Sequence, residues 1–209
     1  MILKRFITGS LEVNSYLIED EVTKEAAIID TGYYEPELAK YVKKQGLEVK
    51  YIVLTHGHGD HMCGVPSYKK KYPNIQVVAH QADADLLLGE IHNFSKEISG
   101  KFIAIKADRY VNDNDTMTLG NIKLKFIHTP GHTKGSMSIL IDNYLFSGDT
   151  LFYEAIGRTD FPDGSSESLL KSVEEKLFTL PDNTLVFPGH MRDTNIGHEK
   201  QNNPFFKNK

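Results

Sequence analysis

A chain of 209 residues forms one domain or at most two, and it can bury a sizeable core. With 40% hydrophobic and 25% charged residues it reads as globular, and a net charge of −4 gives no electrostatic case for a nucleic-acid or anionic-membrane partner. The single cysteine, Cys63, excludes an internal disulfide framework and fits a reducing compartment; Lys4 and Arg5 interrupt any signal-peptide core, and no apolar run approaches the ~18 residues of a membrane span, so a cytoplasmic location is expected.

Residues 1–19 alternate polar and apolar and predict two antiparallel strands, followed by a turn at Glu19-Asp20-Glu21. Ala26–Ile29 is a third strand, ended by Asp30-Thr31-Gly32. A helix is expected from Glu35 to Gln45, with Pro36 in its first turn and Gly46 just past its last. The apolar run 50–54 is a buried strand. Met62 to Tyr72 predicts a short helix, Gln76–Ala79 a strand and Gln81–Leu88 a further helix. Residues 89–115 carry no clear period and are expected to be a partly structured excursion. Thr116–Leu119 and Ile122–Ile127 form a hairpin across Gly120-Asn121. Met137–Ile141 and Tyr144–Phe146 pair across Asp142-Asn143. Leu169, Leu170, Val173 and Leu177 give one face of a helix near 166–178. Thr184–Phe187 is the last strand, and His198–Asn202 a short terminal helix. Blocks of strands flanked by helices imply two sheets packed face to face with helices outside.

The strand at 50–54 runs into Thr55-His56-Gly57-His58-Gly59-Asp60-His61. Alternate residues of an extended backbone share a side, so His56 and His58 can face one point. Gly57 and Gly59 let the chain turn and bring Asp60 and His61 to a second point nearby. Three more segments place a ligand type on a tight glycine turn after a strand: Gly131-His132, Gly148-Asp149 and Gly189-His190. A sheet holds side chains at its strand ends rigidly. Each turn alone is weak evidence; together they predict a two-metal site. Imidazole and carboxylate suit Zn, with Fe or Mn as alternatives, rather than Ca or Mg. Without thiolate, a closed structural zinc site is not expected. His56, His58 and His132 are assigned to one divalent ion, Asp60, His61 and His190 to the other, and Asp149 bridges ions ~3.5–4 Å apart.

This order of HxHxDH, GH, GD and GH resembles the metallo-β-lactamase superfamily over almost the whole chain. The segments Ser147–Phe152, Gly157–Phe161 and Ile196–Glu199, leading to Asn203-Pro204-Phe205, look most like short, single-domain glyoxalase-II-like hydrolases. The resemblance implies a four-layer αββα sandwich of two mixed sheets flanked by helices, spanning residues 1–209 as a single domain without the C-terminal helical domain of glyoxalase II. Two departures bear on glutathione specificity: that helical domain is not expected here, and the family's Lys-Phe-Tyr segment reads Arg158-Thr159-Asp160. Common dizinc β-lactamases carry cysteine where Asp149 stands, so lactams are not the expected substrate.

The implied activity is hydrolysis of a thioester, such as S-lactoylglutathione or a related small acyl-thiol. Two divalent ions would supply a hydroxide near neutral pH and polarise the carbonyl, and the thiolate, with a thiol pKa of ~8.5, leaves readily. Asp60 is the candidate catalytic residue, orienting the hydroxide, and Arg158 the candidate for a substrate carboxylate. Lys134 and Arg192 are weaker candidates of the same kind. The loop Gly157–Phe161 also resembles persulfide dioxygenases, which would use one iron held by His56, His132 and Asp149. A noncatalytic metal-binding or nucleic-acid module is disfavoured by the complete ligand set and the acidic balance. His80, His92 and His128 are expected outside the site, and His198 has at most a supporting role. Cys63 is expected to be buried and inert. Asp30 is placed to hydrogen-bond a ligand histidine, and Tyr153 and Phe161 to line a substrate cleft.

Overall fold

In the computed structural model, which describes residues 1–89 and 91–207, the first sheet is built from residues 2–111. Strands β1 (Ile2–Thr8), β2 (Val13–Glu19) and β3 (Glu25–Ile29) form an antiparallel meander. Strands β4 (Glu48–Val53), β5 (Gln76–His80) and β6 (Arg109–Val111) continue it in parallel, in the order β1-β2-β3-β4-β5-β6. Parallel neighbours need crossovers. Helix α1 (Pro36–Gln45) joins β3 to β4, and α2 (Gly59–Met62) and α3 (Val65–Lys71) lead to β5. A 3₁₀ turn (Gln81–Asp83), α4 (Ala84–Leu88) and α5 (Ser95–Ser99) lead to β6.

Helix α1 starts and stops on local chemistry. The Glu35 side chain accepts from the Glu37 amide at 2.9 Å, Pro36 occupies the first turn, and Gly46 closes the helix at φ +64°. The helix expected over 62–72 begins later, as α3 at Val65, and Met62 instead closes α2. Pro66 lacks an N–H and opens α3, while the Gly64 amide leaves the helical ladder to donate to Thr31 O at 2.7 Å.

The second sheet follows from residues 116–195. Its strands are β7 (Thr116–Leu119), β8 (Ile122–His128), β9 (Met137–Ile141) and β10 (Tyr144–Gly148). After the small ribbon β11 (Leu151–Phe152) and β12 (Ala155–Ile156), β13 (Leu185–Pro188) and β14 (Thr194–Asn195) complete it. The order is β14-β13-β10-β9-β8-β7, with β10 and β13 parallel and the other pairs antiparallel. Helix α6 (Ser166–Ser172) runs on through a π-helical turn (Val173–Leu177), and α7 (Ile196–Asn202) follows β14.

Side-chain alternation sorts each strand into two layers. Tyr16 and Ile18 of β2, Ala27 and Ile29 of β3 and Val78 of β5 meet Leu124, Phe126, Ile139 and Phe146 between the sheets. The opposite faces of the first sheet, with Leu17, Ile28, Ile52 and Val77, pack on Leu38, Val42 and Tyr68 of α1 and α3. Ile127, Leu145 and Val186 of the second sheet pack on Leu169, Val173 and Ile196. The fold is therefore an αββα sandwich of two mixed sheets, as expected. Among the described residues no helix is long and apolar enough to cross a membrane.

Candidate metal centre

The ligand-bearing turns meet along one edge of the two sheets. The first sheet delivers His56, His58, Asp60 and His61 after β4. The second delivers His132 after β8, Asp149 at the end of β10 and His190 after β13. Hydrogen bonds lock the halves together there: Tyr16 Oη donates to Pro188 O at 2.7 Å, and the Asn14 amide donates to Gly189 O at 2.7 Å.

All seven predicted ligands converge. His56, His58 and His132 form one trio, and Asp60, His61 and His190 a second, with ligand atoms within 4.8 Å of one another. Asp149 stands between the trios. Its Oδ1 lies 3.4 Å from His61 Nε2, and its Oδ2 lies 3.7 Å from His132 Nε2 and 3.6 Å from His190 Nε2. Asp60 Oδ2 is 3.3 Å from His190 Nε2. Gly189 is required by this crowding, because a Cβ there would overlap Asp149 Oδ1 and His61.

Hydrogen bonds fix the histidine tautomers. His132 Nδ1 donates to Arg158 O at 2.7 Å and His190 Nδ1 to Leu11 O at 2.9 Å, since a carbonyl only accepts. His61 Nδ1 lies 2.8 Å from Asp30 Oδ2. That oxygen also accepts from Thr55 Oγ1 at 2.8 Å, which leaves the Thr55 oxygen to accept from His56 Nδ1 at 3.1 Å. Asp30 thus has the supporting role expected of it, and for two histidines rather than one. Four imidazoles turn Nε2 inward, while His58 presents Nδ1. His56 Nε2 and His132 Nε2 are only 3.2 Å apart with no proton left to share, and His61 Nε2 and Asp149 Oδ1 are buried without a hydrogen-bond partner. Lone pairs converging in this way fit cations.

Electrostatics divide the histidines. Burial, then the neighbouring imidazoles, pushes His56 well below the ordinary range and His58 down to about 3. Burial also opposes charge on His61, but Asp149, Asp30 and Asp60 outweigh it and raise its pKa well above the ordinary value. His190 is raised in the same way against its burial, chiefly by Asp60. Cations and protons then compete for His61 and His190. Metal uptake by the stripped protein is expected to release protons at neutral pH and to weaken as pH falls. Zinc titration calorimetry in buffers of different ionisation enthalpy measures this, and a binding heat independent of buffer would refute it.

Sequence reasoning missed a residue that joins the two loops. Asp83, fully buried, accepts from the Gly57 amide at 2.9 Å, the Gly135 amide at 2.6 Å and Thr133 Oγ1 at 2.9 Å. Gly57 separates His56 from His58, and Thr133 adjoins His132. The only hint in the sequence was an aspartate soon after a strand.

A cleft of about 560 Å³ opens over the centre. Phe161 lines it as expected, with Phe152 in place of the expected Tyr153. Tyr153 instead lies between His198, 4.9 Å away ring to ring, and the Arg192 guanidinium at 3.5 Å. His198 pairs with Glu154 at 3.0 Å, outside the centre. Arg158 lines the cleft, but its Nε and Nη2 donate to Asp160 at 2.9 and 2.7 Å, so a substrate carboxylate would share the guanidinium with Asp160. Phe94, Glu97 and Ile98, from the excursion, form a wall that the sequence did not disclose. His80 and His128 stack on each other at 3.9 Å, away from the ligands, and Cys63 is buried and free.

Residues 8–190 match the family model described as the metallo-beta-lactamase superfamily. The chain is 35% identical to the probable metallo-hydrolase YqgX of Bacillus subtilis, over 97% of this chain and 96% of that one. It is 33% identical to the hydroxyacylglutathione hydrolase GloC of Haemophilus influenzae, over 96% and 95%. With the bovine mitochondrial persulfide dioxygenase ETHE1 it shares 34% identity, over 84% of this chain and 63% of that protein. Among solved structures, the BLEG-1 B3 metallo-beta-lactamase superposes with a TM-score of 0.90 at 34% identity, covering 99% of this chain and all of that one. TTHA1623 in a di-iron-bound form superposes with a TM-score of 0.84 at 29% identity, over 97% and 99%.

Proposed function

The chain belongs to the metallo-beta-lactamase superfamily, and from that premise we propose that it is a metal-dependent hydrolase that cleaves a thioester of a small acyl-thiol. The observation that carries this reading is Asp149, whose two oxygens face the two ligand trios at once. His56, His58 and His132 would hold one divalent ion, Asp60, His61 and His190 the other, and Asp149 would bridge them. Zinc is the first expectation, with iron or manganese as alternatives. Such a pair of ions supplies a nucleophilic hydroxide near pH 7 and an electrophile for the carbonyl.

The chain's own groups do the rest. Asp30 and Thr55 orient His61 and His56 through one hydrogen-bonded chain. The Arg158 carbonyl and the Leu11 carbonyl hold His132 and His190 in the tautomer that leaves Nε2 free. Asp60, charged because His61 and His190 outweigh its burial, would orient the attacking water. The aromatic wall limits water around the acyl group. The similarity to GloC, a hydroxyacylglutathione hydrolase, supports this reading across nearly the whole of both chains.

Bovine ETHE1 supports a second reading, a persulfide dioxygenase using one iron on His56, His132 and Asp149. The expectation that set lactams aside also meets a counter-observation, because a chain described as a B3 metallo-beta-lactamase is 34% identical to this one. One experiment separates the three. Elemental analysis of purified protein is paired with assays of S-lactoylglutathione hydrolysis, glutathione-persulfide oxygen uptake and nitrocefin hydrolysis. Two ions per chain with thioester cleavage, removed by His58→Ala or Asp60→Ala, is the expected result. One iron with oxygen uptake, or cleavage of the lactam alone, would overturn it.

A further inference from the structure

The walls of the cleft are apolar to a degree that its metal centre does not require. Leu11, Phe94, Ile98, Phe152, Ile156 and Phe161 surround the ligands. Phe161 packs edge-on against His58 and His132 at 4.7 and 5.3 Å, and Phe94 meets both His58 and Phe161 at 5.5 and 5.2 Å. Phe94 holds φ +60°, a backbone conformation that residues with a side chain rarely adopt. Its ring stands against the centre.

Charge in the cleft points the same way. Arg158 is the only cationic lysine or arginine side chain lining it among the described residues, and both arms of its guanidinium that face Asp160 are engaged, with the plane 4.8 Å from the Phe161 ring. The other charged group at the rim away from the ligands is Glu97, paired with His92 at 3.2 Å. An anionic thiol carrier meets on these walls one guanidinium already paired with Asp160, and it meets the carboxylate of Glu97 as well. The volume, about 560 Å³, is that of a small-molecule site.

We propose that the cleft selects an apolar acyl group, aliphatic of medium length or aryl, carried on an uncharged thiol. The proposal takes its reaction from the hydrolase reading. Water adds its oxygen to the acyl carbon, the C–S bond breaks, and the products are the carboxylic acid and the free thiol, with the water's second proton passing to the thiolate.

The test keeps pocket chemistry apart from turnover. Binding of acetate, butyrate, hexanoate and phenylacetate to zinc-loaded protein is measured by calorimetry, with adipate as a chain of hexanoate's length bearing a second carboxylate. The expected dissociation constants fall about fourfold per added methylene, and adipate binds far more weakly than hexanoate. Ile98→Ser and Ile156→Ser should flatten the dependence on chain length. In parallel, acetyl and hexanoyl thioesters of N-acetylcysteamine are compared with S-lactoylglutathione for kcat/KM, and hexanoyl is expected to exceed both by more than tenfold.

A flat carboxylate series, or adipate binding as well as hexanoate, overturns the proposal and leaves thioester cleavage standing if any thioester turns over. A steep series without turnover of any thioester upholds the apolar cleft and removes the hydrolase reading instead. A lactoylglutathione preference with a steep carboxylate series overturns the uncharged carrier.

Discussion

Replacing Asp149 with asparagine lowers turnover about a thousandfold, the scale of losing a preorganised charge at the reacting centre, and reduces the ions held per chain. The amide keeps the shape of the carboxylate and removes its charge. Two of the three nitrogens it faces, on His61 and His190, would lose the negative group that raises them. An amide nitrogen would also point N–H groups at one trio of lone pairs, where a cation is expected. In the native protein Asp149 is held far below the ordinary carboxylate range, because His61, and then His132 and His190, outweigh its burial. It therefore stays charged over the whole working range of pH. Elemental analysis with steady-state kinetics reads both effects. A variant with two ions and native kcat would end the bridging assignment.

Replacing Asp83 with alanine is the second large effect, although Asp83 touches no ligand. The two amides and one hydroxyl that it accepts from, on Gly57, Gly135 and Thr133, would be left buried and unpaired. At roughly 1–3 kcal/mol for each unsatisfied group, a loss of about 3 kcal/mol is expected after partial relaxation, visible as a drop in Tm of roughly 6–12 °C. Metal affinity should fall about 10–100-fold, as for other residues that position ligands. The contact also sets its neighbour, since a Cβ at position 135 would overlap Asp83.

Asp83 carries a pH signature as well. Burial is the main cause, opposed by the three hydrogen bonds, and it raises the pKa from 3.8 to about 7. The native state thus holds this proton more tightly than the unfolded chain. Its contribution to stability is complete below about pH 4 and is lost as pH rises through about 7. Denaturation of the metal-free protein across that window should show the loss, and Asp83→Asn should abolish it. An unchanged pH profile in that variant would refute the assignment.

Much of the centre was legible because its signals are local. An apolar strand followed by His56-Gly57-His58-Gly59-Asp60-His61 states its geometry through the period of the strand and the freedom of glycine. Each distant ligand follows a strand in the same way. Even Asp30 was legible, as a polar residue ending the strand beside β4. The cleft was not legible. Phe94 and Ile98 lie in a stretch without period, where α5 has five residues and β6 three. Elements that short are fixed by tertiary contacts, such as the Asn93 side chain bonding Leu86 O and Ile103 O. Tyr153 was misplaced for a related reason. Successive residues of a strand face opposite ways, and the ribbon β11–β12 turns Phe152 toward the centre. The helix at 166–178 was legible in its apolar face, but the π-helical turn at its end was not.

The two sheets are nearly consecutive in the chain, one made from residues 2–111 and the other from 116–195. Four of the seven ligand side chains therefore belong to the first half of synthesis and three to the second. A ribosome completes one wall of the centre before any residue of the other exists. Ions bound across the seam would act as rivets between separately made plates. Their binding energy adds to the cohesion of the halves in proportion to RT ln(1 + [L]/Kd), so a chelator should loosen the seam before it disturbs either plate.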